Sequence, residues 1–253
     1  MTLRIAVVGA RGRMGSLAVA WIRAEKDLEV AAEIEIGDDV GRSLAAARAS
    51  VALDFTTAES ARANALAILE AGARPVVGTS GLSAADVGEL RAAAAKRKLG
   101  GLVVPNFSIG AVLAMRFSEE AARWMPAAEV IEAHHPTKAD APSGTARATA
   151  ERIAAARREV PRDASRELIP SVRGGGVEGV RVHSIRLPGV IAHQEVRFGA
   201  EGETLSLRHD TTDRACFRAG VLLALRAAPA LDEIVVGLEP LLFGAAARNL
   251  PRP

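Results

Sequence analysis

The chain has 253 residues, enough for one large domain or two modest ones with cores of their own. With 49% hydrophobic residues, 25% charged residues and a net charge of only +2, it has a globular composition without the basic stripe of a nucleic-acid binder. Aromatics make up 3% and tyrosine is absent, which argues against a base-stacking platform; no nucleic-acid partner is expected. In chain order, residues 5–8 read as a buried strand, 15–23 as a helix, 28–34 as a second strand and 51–55 as a third. A helix is expected over 58–71, a strand over 75–77, an alanine-rich helix over 84–98 and a short strand over 102–104. Apolar strands alternating with helices predict a parallel sheet covered on both faces.

The pattern changes after Asn106. Residues 109–124 read as one helix ended by Pro126, 129–133 as a strand running into two histidines, and 145–158 as a helix. The Pro-, Arg- and Gly-rich stretch 159–179 reads as a loop. From Val180 the alternation over 180–186, 195–198 and 205–209 is that of antiparallel strands. A helix over 214–231 and an apolar run over 234–236 fold back on the first domain in this reading. The expected fold class is α/β: a discontinuous parallel-sheet domain of residues 1–106 and 215–253, and an α+β domain of residues 107–214.

The lone Cys216 has no partner for an internal disulfide and reads as a small buried hydrophobe. No apolar run reaches the ~18 residues of a membrane span. The first residues read as a strand rather than a signal peptide, so the expected compartment is the cytoplasm, with no membrane partner.

Gly9, Gly12 and Gly15 stand after the first strand and open the first helix. The first suits a tight turn, the second a close approach of backbone to phosphates, and the third a close contact of helix and strand. The helix start adds free N–H groups for an anion, so a dinucleotide is expected there. Such a fold wants an acid near the end of the second strand for the adenosine ribose, and Glu33 and Glu35 both qualify. Two apart on a strand, they are expected to share a face. No arginine sits beside them in sequence to accept a 2′-phosphate, Arg42, Arg11 and Arg13 lying further off, so the reading leans to NADH and leaves NADPH open. Phe55 to Thr57 and Gly78 to Gly81 follow the third and fourth strands, where a nicotinamide ribose and carboxamide would lie.

Between Glu132 and Ala146 the chain places His134, His135, Lys138 and Asp140 in one loop, then Ser143, Gly144 and Thr145 at a helix start. Ser143 and Thr145 are good caps and Gly144 admits close approach, which together make a carboxylate pocket. Lys138 can hold a second carboxylate or developing negative charge, and either His134 or His135 can donate a proton near neutral pH. Adjacent histidines on a strand point to opposite faces and no cysteine is near, so no metal is expected. These features describe a site for a small dicarboxylate that receives a hydride and a proton.

The loop is similar to the signature of the 4-hydroxy-tetrahydrodipicolinate reductase family, E-x-H-H-x-x-K-x-D-A-P-S-G-T-A, at every fixed position. Gly12 to Gly15, Asp54 to Thr56, Gly78 to Gly81 and Asn106 to Gly110 also resemble family motifs, in the family's order. The resemblance implies a Rossmann domain and a second domain whose mixed, largely antiparallel sheet mediates homotetramer formation, with a hinge between the two. It implies NADH- or NADPH-dependent reduction of 4-hydroxy-tetrahydrodipicolinate with loss of water, in the diaminopimelate route to lysine. On this basis His134 would be the proton donor, with Lys138 beside it in catalysis. His135, Ser143, Gly144 and Thr145 would hold the substrate. Gly9, Gly12, Arg13, Met14, Gly15, Phe55, Gly78, Thr79, Asn106 and Phe107 would contact the cofactor, with Glu33 or Glu35 on the ribose.

The chain departs from the family in its second half. The family's R-x-G-x-x-x-G-x-H is replaced here by Arg186 to Gln194, with Pro188 and Ala192 in the glycine positions and the histidine moved to His193. Two other readings remain: a Rossmann dehydrogenase for another amino acid or semialdehyde, which explains the glycines but not the Lys138 to Thr145 run, and a non-catalytic NAD(P)-binding regulator, which has no use for His134 and Lys138.

Overall fold

In the computed structural model, which describes residues 2–244, the apolar runs of the first hundred residues form parallel strands. These are β1 (Leu3–Val8), β2 (Leu28–Ile34), β3 (Val51–Asp54), β4 (Arg74–Val77) and β5 (Gly101–Val103). A sixth strand, β11 (Ile234–Val236), pairs in parallel with β5, giving the order β11-β5-β4-β3-β1-β2. Ile5 to Val8 and Val51 to Asp54 are buried without a break, as strands covered on both faces require. The covers include α1 (Arg13–Arg23), α3 (Ala58–Glu70) and α4 (Ala84–Arg97). From β1 the chain winds to β2 on one side and to β3 on the other. The direction of winding therefore reverses at the carboxyl ends of β1 and β3, the position at which such sheets open a ligand crevice.

Two local departures have simple causes. A helix not expected from the sequence, α2 (Val40–Ala47), follows β2; it is only eight residues long and buries only Leu44. Its signal is the cap, since the Asp39 carboxylate accepts the Arg42 N–H at 2.9 Å. The single helix expected over 214–231 is three pieces: a 3-10 turn (Arg214–Phe217), α7 (Arg218–Ala227) and a second 3-10 turn (Ala228–Ala230). Pro229 lacks the N–H that a continuing helix needs. Arg226 on α7 forks onto Asp27 at 2.7 and 2.8 Å and reaches Glu25 at 2.8 Å, tying α7 to the turn before β2. A short helix, α8 (Glu239–Phe243), ends the described chain; residues 245–253, part of the expected 215–253 stretch, lie outside the described residues.

Contacts divide the chain into one unit running to Phe107 and resuming at Phe217, and a second spanning Ser108–Cys216. The second unit contains α5 (Ile109–Ala122), β6 (Ala127–His134), α6 (Gly144–Ala156), β7 (Gly175–Val177), β8 (Val180–Arg186), β9 (Ala192–Ala200) and β10 (Glu203–Thr211). Its sheet has the order β10-β9-β6-β8-β7 and is mixed. The strands from Val180 onward are not all antiparallel: β8 runs parallel to β6, because α6 and the long loop carry the chain back before β8 begins. Val130, Ile153, Val182, Val196 and Phe198 form the core between this sheet and its helices. Val130, Glu132 and His134 alternate along β6 onto the face that meets α6, so a carboxylate and an imidazole are carried inward with the apolar residues.

Candidate active site

In the first unit the glycine turn lies at the reversal point of the sheet. Gly9 has φ +76°, and a Cβ there would stand 2.8 Å from the Phe55 carbonyl oxygen. A Cβ on Gly15 would stand 2.0 Å from the Gly9 carbonyl oxygen, so the third glycine lets α1 close onto the turn. Gly15 is buried and shapes this end rather than facing a ligand. Gly12 is the N-cap of α1 and brings no capping side chain, and no acid occupies the first turn. The helix start carrying Arg13 and Met14 is thus left to an outside anion, which is the fit a pyrophosphate needs.

The two candidate ribose acids part company. Strand β2 ends at Ile34, so Glu35 lies beyond it and does not share a strand face with Glu33. Glu33 is exposed and pairs with Arg23 on α1 at 2.6 Å, so an arginine does stand beside it. Glu35 accepts the Arg11 N–H of the glycine turn at 2.6 Å, which aims its carboxylate beside that turn.

The turns after β3 and β4 are held by one carboxylate to which the sequence reading gave no role. Asp54 is fully buried and accepts the Thr56 N–H (3.0 Å), the Thr56 and Thr79 hydroxyls (2.8 and 2.9 Å) and the Asn64 amide (2.8 Å). Thr79 therefore points its hydroxyl inward to Asp54. Phe55 and Phe107 meet edge to face with ring centroids 5.6 Å apart. A Cβ on Gly78 would lie 2.3 Å from the Phe55 ring and 2.7 Å from the Phe107 ring, so glycine there leaves room for this pair. Asn106, half-buried, directly precedes Phe107.

In the second unit the histidine loop is anchored from below by Glu132, also fully buried. Arg186, directly across from His134 in the parallel register, grips Glu132 with two nitrogens at 2.9 and 3.0 Å. The same carboxylate accepts the Ser143 N–H at 3.3 Å and lies 2.5 Å from His134 Nδ1. Burial pushes the Glu132 carboxyl up, but its bonds from Arg186, Ser184 and His134 outweigh that and hold it below the usual carboxylate range. A carboxylate so held accepts, so Nδ1 carries the proton and Nε2 is the exchangeable nitrogen of His134. Burial lowers the His134 pKa and the charges of Lys138 and Arg186 lower it further, against the opposing pull of Glu132.

The rest of the loop presents donors. His135 Nδ1 lies 2.8 Å from the Thr137 hydroxyl, and Lys138 reaches Asp140 at 2.6 Å. Ser143 caps α6, its buried hydroxyl accepting the Ala146 N–H at 3.2 Å, and so fixes the helix start rather than facing outward. Gly144 opens α6 with nothing within 4 Å of its Cβ position, which leaves room over the helix start. Thr145 follows within the first turn, and its carbonyl accepts the Thr149 hydroxyl at 2.8 Å. The displaced histidine is explained by strand alternation: Gln194 is buried and donates to Thr149 at 2.9 Å, while His193 faces the other side and meets Asp210. Among the described residues, no group of three or more His, Cys, Asp or Glu side chains is placed to hold a metal ion, and no helix is long and apolar enough to cross a membrane.

Comparison with known proteins identifies the family. Residues 3–107 match the family described as dihydrodipicolinate reductase, N-terminus, and residues 110–242 match dihydrodipicolinate reductase, C-terminus. The chain is 47% identical to a curated 4-hydroxy-tetrahydrodipicolinate reductase of Nocardia farcinica over 247 residues, covering 96% of this chain and 99% of that one. It is 44% identical to the enzyme of that name from Mycolicibacterium smegmatis, covering 95% and 99%. Among solved structures it is similar to the dipicolinate-bound dihydrodipicolinate reductase of Paenisporosarcina sp. TG-14, with a TM-score of 0.87 and 34% identity over 96% of this chain and 100% of that one.

Proposed function

The chain belongs to the dihydrodipicolinate reductase family, and from that premise we propose how its residues share the work. The reaction is the reduction of 4-hydroxy-tetrahydrodipicolinate by a nicotinamide cofactor, in which a hydride and a proton are added and water is lost, in the diaminopimelate route to lysine. A bound nicotinamide cofactor supplies the hydride.

In the first unit, the turn Gly9 to Gly15 and the amides of Arg13 and Met14 take the pyrophosphate. Glu35 takes the adenosine ribose and Glu33 does not, because only Glu35 is aimed beside the glycine turn. A carboxylate there repels a 2′-phosphate, so NADH is the preferred cofactor. Phe55, Gly78, Thr79, Asn106 and Phe107 shape the nicotinamide end, Thr79 through its bond to Asp54.

In the second unit, Lys138, His135 and the start of α6 at Gly144 and Thr145 receive the substrate carboxylates, with Ser143 holding that helix start in place. His134 donates the proton from Nε2, and Lys138 offsets negative charge that develops. Glu132 orients His134 through Nδ1, and Arg186 pins Glu132. The observation that carries this reading is the imidazole held 2.5 Å from a fully buried carboxylate in the strand that leads into the loop. The chain works in the cytoplasm as a homotetramer built on the sheet face opposite α6, which carries the Glu129–His183 and Arg208–Asp210 pairs. Light scattering tests the assembly.

The activity is tested by a coupled assay in which a synthase makes the substrate from pyruvate and aspartate semialdehyde. The expected outcome is nicotinamide oxidation that depends on every component and is faster with NADH than with NADPH. No oxidation from folded protein that still binds NADH would point to another substrate.

A further inference from the structure

Two of the donors assigned to the substrate are already engaged by a carboxylate of the protein's own. Lys138 Nζ lies 2.6 Å from Asp140 Oδ1, and the Gly144 N–H at the start of α6 also turns to that carboxylate. The backbone of Asp140 is fixed independently, since its carbonyl accepts an Arg186 nitrogen at 2.6 Å. Its side chain is more than half exposed, at 56%, whereas that of Lys138 is 23% exposed. The pair thus consists of a ligand-binding cation that is largely enclosed and a carboxylate with an open way to water.

We propose that Asp140 is an internal stand-in for a substrate carboxylate: in the ligand-free chain it occupies the subsite formed by Lys138 and the start of α6, and the incoming dicarboxylate displaces it. This rests on the substrate site proposed above. Arg186 keeps the backbone of the loop in place during the exchange, so rotation of one side chain suffices and the loop need not refold. An exposed ion pair is weak, so the stand-in is readily displaced. It keeps the Lys138 ammonium neutralised and oriented between turnovers, at the cost of some apparent affinity, because ligand binds only the fraction of molecules whose subsite is vacated.

The test is the affinity of wild type, Asp140→Asn and Asp140→Ser for dipicolinate (pyridine-2,6-dicarboxylate), measured by calorimetry, together with KM in the coupled assay. The stand-in role predicts that both variants bind dipicolinate tighter, by about three- to tenfold, and that KM falls in parallel. In a Lys138→Ala background the gain from Asp140→Asn should disappear, because the two side chains compete through one cation. Weaker or unchanged binding in both variants would overturn the proposal and make Asp140 a fixed positioner of Lys138 or a bystander. Failure of wild type to bind dipicolinate at all would instead overturn the underlying substrate site.

Discussion

Around Gly9 the protein works with backbone, and around His134 it works with charge. The first region is shaped by what its residues lack: a Cβ on Gly15 would come within 2.0 Å of a carbonyl oxygen, and one on Gly78 would strike two aromatic rings. The second is shaped by what it buries, a carboxylate gripped by an arginine, an imidazole and a backbone amide. The two regions should therefore fail differently. Crowding breaks the first by forcing strands and helices apart, while neutralising one partner breaks the second by leaving the other charge buried alone.

The largest effect is expected at Arg186. Arg186→Met leaves Glu132 without its main partner, and the cost is about 3–5 kcal/mol in denaturant unfolding. Replacing Glu132 by Gln in the same chain should return part of that loss, because no uncompensated charge then remains. If Arg186→Met unfolds like wild type, the charge-built half of the contrast is wrong. A middle-sized effect separates two glycines. Gly15→Ala should lose about 1–3 kcal/mol and weaken NADH binding, since backbone must shift to admit the methyl group. Gly144→Ala meets open space and should keep its thermal midpoint while weakening dipicolinate binding. The smallest effect sharpens the cofactor assignment. Glu35→Gln should raise the KM for NADH about fivefold. Glu33→Gln, which loses only a surface pair with Arg23, should leave it unchanged.

How far each region could be read from sequence follows the same division. Recognition by backbone is written in glycine spacing and in strand ends, so the turn and its helix were legible. So were β1 to β5, most of whose residues are apolar. The different settings of Glu33 and Glu35 were not, because the strand stops at Ile34, one residue short of Glu35. Helix α2 is a short element of eight residues with one buried leucine, and Pro229 ends the helix after Arg214 sooner than its apolar pattern suggests. In the charge-built region the loop residues were legible as a cluster. Their support was not, because Arg186 lies 54 residues from Glu132 and meets it only through the parallel register of β6 and β8. One clue was present: Glu132 alternates in step with Val130, so a carboxylate was bound for the interior and needed a partner there.

The central claim, that His134 is the proton donor and Glu132 its support, is tested most directly by the pH dependence of kcat/KM in wild type, His134→Gln and Glu132→Gln. The donor must be protonated, so the rate should fall as pH rises through the free-enzyme pKa of His134. Burial, with Lys138 and Arg186 adding to it, sets that pKa below the ordinary histidine range. Glu132→Gln removes the one group that raises it, so the limb should move to still lower pH. His134→Gln should abolish the limb and lower the rate by about 10²- to 10⁴-fold. A His134→Gln enzyme that keeps both the wild-type rate and the wild-type limb would contradict the account.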